Sequence, residues 1–242
     1  MNINSQTINV SDIPVEIVRK GVKNLHLGVY PPEGHVRVTV PDHITDENVR
    51  LAIISRIAWI RKKQAEFKAQ PRQTERQYIS GESHYFEGKR YQLDVVERDG
   101  KGEVVLTNNA KLVLYVKPNA SQASKAVIFN EWYRAYLKVK MPELLNKWQK
   151  KVGKIPSHVH IKRMKTRWGS CNTDAGRILI NLELAKKSPE CLEYILVHEI
   201  IHLHERHHNE AFLKHMDRCL PKWRHSRDVL KSEPLAHEDW DY

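Results

Sequence analysis

The chain is poor in cysteine and lacks any long apolar run, and each deficit excludes a class of protein. Cys171, Cys191 and Cys219 are the three thiols in 242 residues. Their number is odd and no Cys-x-x-Cys knuckle occurs, so a secreted disulfide framework is not expected. No apolar stretch approaches the roughly 18 residues that a membrane span needs; Leu51 to Ile60 is broken by Ser55 and Arg56. The opening Met1-Asn2-Ile3-Asn4-Ser5 has no basic n-region followed by an apolar h-region. Repeats and low-complexity tracts are also missing. A reduced, cytoplasmic protein without a membrane partner is expected, long enough for one or two domains with a real core. Oligomeric state is left open.

Acidic residues are also in deficit, and the formal charge is +11. The excess is steepest from Arg134 to Arg167, where eleven Lys and Arg face Glu143 alone. Such a block is either a solvated face or a surface for an acidic partner, such as nucleic acid or a phosphorylated or acidic substrate.

The expected fold class is α+β, with an antiparallel β-rich domain carrying one helix over residues 1–120 and a second domain over 121–242. Short alternating strands are expected at Val15–Val18, Leu25–Val29 and Val36–Val40, the last two joined by a turn at Pro31-Pro32-Glu33-Gly34. Thr45 reads as the N-cap of a helix to about Lys68, and Gln70-Pro71-Arg72-Gln73 as a hinge. Ser83–Phe86, Arg90–Val96, Val104–Leu106 and Leu112–Val116 read as an antiparallel meander. A long helix follows from Ser121 to about Lys151, with a kink or break expected at Pro142. Its Phe129, Trp132, Tyr133 and Tyr136 recur at helical spacing, as a packing stripe does. His158–Met164 and Arg177–Leu182 then read as a hairpin around a loop, Thr166–Ala175.

Within the second domain, Ser188-Pro189-Glu190 starts a helix that is apolar from Cys191 to Val197 and ends on His198-Glu199-Ile200-Ile201-His202. Residues four apart share a helix face, so His198 and His202 can aim two imidazoles at one cation. Glu199 lies beside them, turned about 100° around the helix, where a general base should stand. Glu205 shares the face, but seven residues of regular helix put its Cα about 10.5 Å from that of His198, too far to share a metal. His208 is the better third ligand, provided that the chain turns near Arg206-His207 and restarts a helix at Asn209. The acidic tail from Glu233 to Tyr242 is expected to fray.

Arg167-Trp168-Gly169-Ser170-Cys171, Ile178 to Leu184, Tyr194 to His208 with Phe212, and Leu220-Pro221-Lys222-Trp223-Arg224 resemble the YgjP-like family of zinc metallopeptidases. That family is related to the SprT-like and WLM proteases within the zincins. The likeness extends to the N-terminal region, where Val36-Arg37-Val38-Thr39-Val40-Pro41 and Ala58-Trp59-Ile60 recur in the same order. The resemblance implies a zincin-like catalytic domain with one zinc per chain on His198, His202 and His208. It also implies a catalytic Glu199 and a peptide or protein substrate. In zincins an edge strand beside the metal helix receives the substrate, and Ile178–Leu182 is the strand expected in that place. An oxyanion needs a further donor, for which Lys165, Arg167 and His207 are the candidates, and the sequence does not choose among them.

Two alternatives use the same residues. One is a metal-dependent hydrolase of nucleotide phosphoanhydrides, which the basic surface would suit. The other is a nucleic-acid-binding module with a structural zinc, for which Cys171 is the thiol that could close the fourth position.

Overall fold

A computed structural model describes residues 4–30, 33–69, 76–107, 111–164 and 167–232. Pro31-Pro32 of the expected turn, the hinge at 70–73, Lys165 and the tail from Glu233 lie outside them. Contacts divide the described residues into two units, 4–69 and 76–232. The expected division at residue 120 therefore moves upstream. The reason is packing: Phe86, Tyr91, Leu93, Leu112 and Leu114 share one core with Phe129, Tyr133 and Leu137.

The first unit is a four-stranded sheet with two helices. Strand β1 (Asn4–Val10) meets β2 (Ile13–Arg19) through Ser11 and Asp12, both with left-handed backbone (φ 47° and 66°), as a tight hairpin turn requires. Strands β3 (His26–Tyr30) and β4 (His35–Val40) form the expected hairpin, but β4 joins the sheet parallel to β2. The alternation of Val36, Val38 and Val40 puts all three on the buried face with Val15 and Ile17. Against it lie α1 (Asp46–Ile54) and α2 (Ile57–Ala69), where one helix was expected. Thr45 caps α1 as anticipated, accepting from the Asn48 amide at 3.3 Å. Helix α1 ends at Ser55, and α2 restarts with Ile60 on the same core as Val49 and Ile53.

The second unit opens with a sheet of the same strand order. Strands β5 (Ser83–Phe86), β6 (Lys89–Glu97), β7 (Glu103–Thr107) and β8 (Lys111–Val116) run β5-β6-β8-β7, with β6 and β8 parallel. The expected meander is thus interrupted by one parallel pair. Helix α3 (Gln122–Val152) is capped by Ser121 and stays unbroken through Pro142. Pro142 is exposed, as is Lys138, whose carbonyl it cannot bond. Phe129 and Tyr133 are buried against Phe86 and Trp132, so the aromatic stripe packs the core.

A three-stranded sheet follows, ordered β10-β11-β9. Strands β9 (His158–Lys162) and β11 (Arg177–Asn181) are parallel neighbours, and β10 (Gly169–Asn172) arises inside the expected loop. A short 3-10 helix (Leu182–Lys186) leads to α4 (Pro189–Ile201), then α5 (Glu210–Cys219) and α6 (Trp223–Ser232). The molecule is α+β, as expected. Among the described residues, no helix is long and apolar enough to cross a membrane.

Candidate metal centre

Helix α4 is apolar nearly all round, and Leu192, Leu196, Val197, Ile200 and Ile201 are almost wholly buried. Such a helix belongs in the interior. It is held at its start by the β5–β6 turn, where the Glu87 and Gly88 amides donate to the carbonyls of Ala185 and Lys186 at 3.0 and 3.1 Å. His198 and Glu199 lie in its last turn, and His202 is its C-cap. The chain turns there, four residues sooner than expected, with the Glu205 amide donating to the Ile201 carbonyl at 3.1 Å. Asn209 then caps α5 through the Phe212 amide at 3.0 Å. This early turn swings His208 back over α4.

Three imidazoles consequently converge. Their Nε2 atoms are 3.2 Å apart for His198 and His202, 3.0 Å for His198 and His208, and 3.1 Å for His202 and His208. Nδ1 of His202 meets the Glu205 carbonyl at 3.0 Å. A carbonyl cannot donate, so Nδ1 carries the proton and Nε2 turns its lone pair toward the other two rings. Burial holds His198 down to about 3 and also lowers His202, so both rings are neutral at physiological pH. The buried ring of Phe212 backs all three, with centroids 4.8 to 4.9 Å away.

Nitrogens about 2.05 Å from a tetrahedral zinc stand about 3.3 Å apart, so the observed triangle fits a small cation at its apex. Among the described residues these three histidines form the one such ligand group. Cys171 is not in it, and burial raises its thiol to about 11, the character of an inert thiol. His207 is outside the group as well; its backbone amide donates to Glu205 at 3.3 Å.

Glu199 is 5% exposed and lies against β10. A Cβ on Gly169 would fall 2.5 Å from its Oε1, so the absent side chain is what admits the carboxylate. Burial pushes Glu199 up to about 8, against the pull of the Arg167 guanidinium. A cation among the three imidazoles would pull it down again.

These groups line a cleft of about 630 Å³. One wall is β10, with Arg167 and Asp174 beyond its ends; the other carries the histidines, Glu199 and Arg206. The strand on the cleft is thus β10. Of Ile178–Leu182, expected there, Ile178–Asn181 lie in the middle strand of the sheet and Leu182 starts the 3-10 helix. Of the expected oxyanion donors, Arg167 lines the cleft and His207 does not.

Sequence reasoning missed Asn181, which holds this wall in place. Its Nδ2 donates to the carbonyls of Met164 and Arg167, both at 2.8 Å, and its Oδ1 accepts from the amides of Glu183 and Met164 at 3.1 and 3.3 Å. A polar residue ending an otherwise apolar strand, Ile178-Leu179-Ile180-Asn181, was the available signal.

A histidine triangle with a buried carboxyl beside it thus faces an edge strand across a cleft. Residues 23–233 match the family model described as YgjP-like, metallopeptidase domain. The chain belongs to the YgjP-like metallopeptidase family. A search of curated proteins found no match. Among solved structures, the chain is similar to the metallopeptidase zymogen of Pyrococcus abyssi abylysin, at 22% identity and a TM-score of 0.33. That match covers 36% of this chain and 86% of the other.

Proposed function

We propose that this metallopeptidase is zinc-dependent, with one zinc held by His198, His202 and His208 and with Glu199 as its general base. The convergence of three imidazole nitrogens beside a buried carboxyl carries the reading. Zinc bound there would polarise a peptide carbonyl and acidify a water molecule. Glu199 accepts the proton of the attacking water and returns it to the departing amine. Gly169 gives the Glu199 carboxylate its place, and Phe212 keeps bulk water from the rear of the imidazoles. An extended peptide pairs with β10, the edge strand on the cleft.

Zinc-loaded protein is expected to contain about one zinc per chain and to cleave casein. His208→Ala should lose the metal, whereas Glu199→Gln should keep it and lose turnover. Full zinc retention by His208→Ala, or normal turnover by Glu199→Gln, would overturn these assignments. Nucleotides assayed in parallel separate this reading from phosphoanhydride hydrolysis. A cytoplasmic setting belongs to the proposal and is supported by three free thiols.

The basic segment supports a second activity, nucleic-acid contact. Lys138, Lys150, Lys154 and Lys162 are exposed and make no ion pair among the described residues, whereas Lys140 and Lys147 face Glu143 and Glu193.

A further inference from the structure

The charges on the cleft walls are unequal in their partners. Arg167 stands just before β10, and Arg206 stands in the turn that brings His208 over α4. Both are exposed, and among the described residues neither guanidinium makes a hydrogen bond or an ion pair. Arg134 donates to the Ile161 carbonyl at 2.7 Å and Arg224 pairs with Asp217, while Arg90 and Arg177, exposed and likewise unpaired among the described residues, do not line the cleft. The acidic groups on the cleft are Glu199, committed to the reaction, and exposed Asp174 at the far end of β10. A dication on the histidines adds to the positive field between these walls.

A guanidinium presents five donors in a fixed fork that matches a carboxylate, and it cannot shed its charge. Two of them, without a hydrogen bond or ion pair among the described residues and lining one cleft, gain a direct partner when the occupant brings the acid. We propose that the cleft selects acidic peptides, with Arg167 and Arg206 receiving Asp or Glu side chains of the segment laid along β10. The inference rests on the peptidase reading and names its substrate class. Because Arg167 and Asp174 flank β10 at opposite ends, the preferred segment is asymmetric: its acidic residues lie toward Arg167 and its neutral or basic ones toward Asp174.

The test uses two degenerate peptide libraries of otherwise identical design, one carrying Asp and Glu and the other Asn and Gln at the same positions. Binding is read by anisotropy on full-length, zinc-loaded Glu199→Gln protein, and cleavage by mass spectrometry on the unmodified protein. Binding to the inactive variant reports ground-state contacts, so any role of Arg167 in the transition state does not enter. The acidic library is expected to bind about tenfold tighter at low salt, with the ratio shrinking as salt screens the exposed pairs. In a background of Arg167→Gln and Arg206→Gln the ratio should fall to about one. Arg206→Glu should favour a third library carrying Lys.

Equal binding of the acidic and amide libraries overturns the proposal, as does a preference that survives both arginine substitutions. Displacement of the acidic library by a nucleoside triphosphate at far lower concentration would assign the arginines to phosphate and overturn the peptide reading of them. An acidic preference without cleavage of either library would support the charge selection and count against peptidase activity alone.

Discussion

Replacing Gly169 by alanine adds one methyl group in the place where the proposed base lies. The added Cβ would sit 2.5 Å from Oε1 of Glu199, 2.7 Å from its Cγ and 2.9 Å from its Cδ. Ordinary contact begins near 3.4 Å, so the carboxylate must retreat by about 0.9 Å. Gly169 cannot readily yield, because its strand is paired through Ile180, and Glu199 has almost no open space, being 5% exposed. Gly169 is not among the residues with left-handed backbone, so the effect is steric rather than conformational. Overpacking of this kind costs about 1–3 kcal/mol of stability, while misplacing a reacting group by about 1 Å costs up to about a hundredfold in rate. The expected outcome for Gly169→Ala is a retained zinc, a modest loss of stability, and a kcat lowered about 10- to 100-fold with KM changed much less. Zinc content, thermal melting and steady-state kinetics on one peptide measure all three. A double-mutant cycle with Glu199→Asp adds a further check: the shorter carboxylate should tolerate the methyl group better than Glu does. A zinc-loaded Gly169→Ala protein with kcat within about threefold of the unmodified one would refute the reasoning.

The remaining predictions concern the supports of the site and the surface. Asn181→Asp points an anionic oxygen at the Met164 and Arg167 carbonyls, which are now held by Nδ2 at 2.8 Å. It should cost about 2–4 kcal/mol in denaturant unfolding and disturb the Arg167 wall, and an unchanged midpoint would contradict the assigned role. His84 is buried, stacked 4.6 Å from Phe129, and held down from 6.5 to about 4 chiefly by that burial, with Glu82 opposing. Between those values the unfolded chain takes up a proton that the folded chain refuses, so stability is full above pH 6.5 and falls as pH drops toward 4. The loss is about 3 kcal/mol at the lower limit, and His84→Gln should flatten this part of the pH–stability curve. If Lys138, Lys150, Lys154 and Lys162 each contact a phosphate of duplex DNA, log Kobs should fall with log salt at a slope of about −3.6; an absence of binding at low ionic strength would return them to a solvated face.

The grouping of the three histidines was legible because its information is local. His198, Glu199 and His202 follow from helical period alone, and His208 from the requirement for a turn before the cap at Asn209. Even there the turn came early, since the helix stops once Ile201 has been buried and His202 takes the C-cap. Pairing partners were not legible. The alternation in His158–Lys162 and Arg177–Asn181 shows which side chains face the core, but it is the same for parallel and antiparallel neighbours, and here it hid a third strand between them. Polar Gly169-Ser170-Cys171-Asn172 has no strand pattern; it becomes β10 because β11 offers it a ladder. The unit boundary failed for a similar reason, because residues 76–120 carry ordinary strand sequence and only their burial against α3 assigns them to the second unit.

The position of the ligands along the chain has a consequence for the order of events in folding. His198, His202 and His208 fall within eleven consecutive residues, so once α4 exists the triangle needs only one short loop closure, an event of about 10–100 ns. The opposite wall is built differently. Gly169 lies twenty-nine residues before His198 in a hairpin of β10 with β11, and that hairpin must still pack on α4 before the cleft exists, a contact of the slower, non-local kind. On the proposed assignment of the three histidines as ligands, an ion can therefore be captured by a chain whose β10 wall has not yet docked.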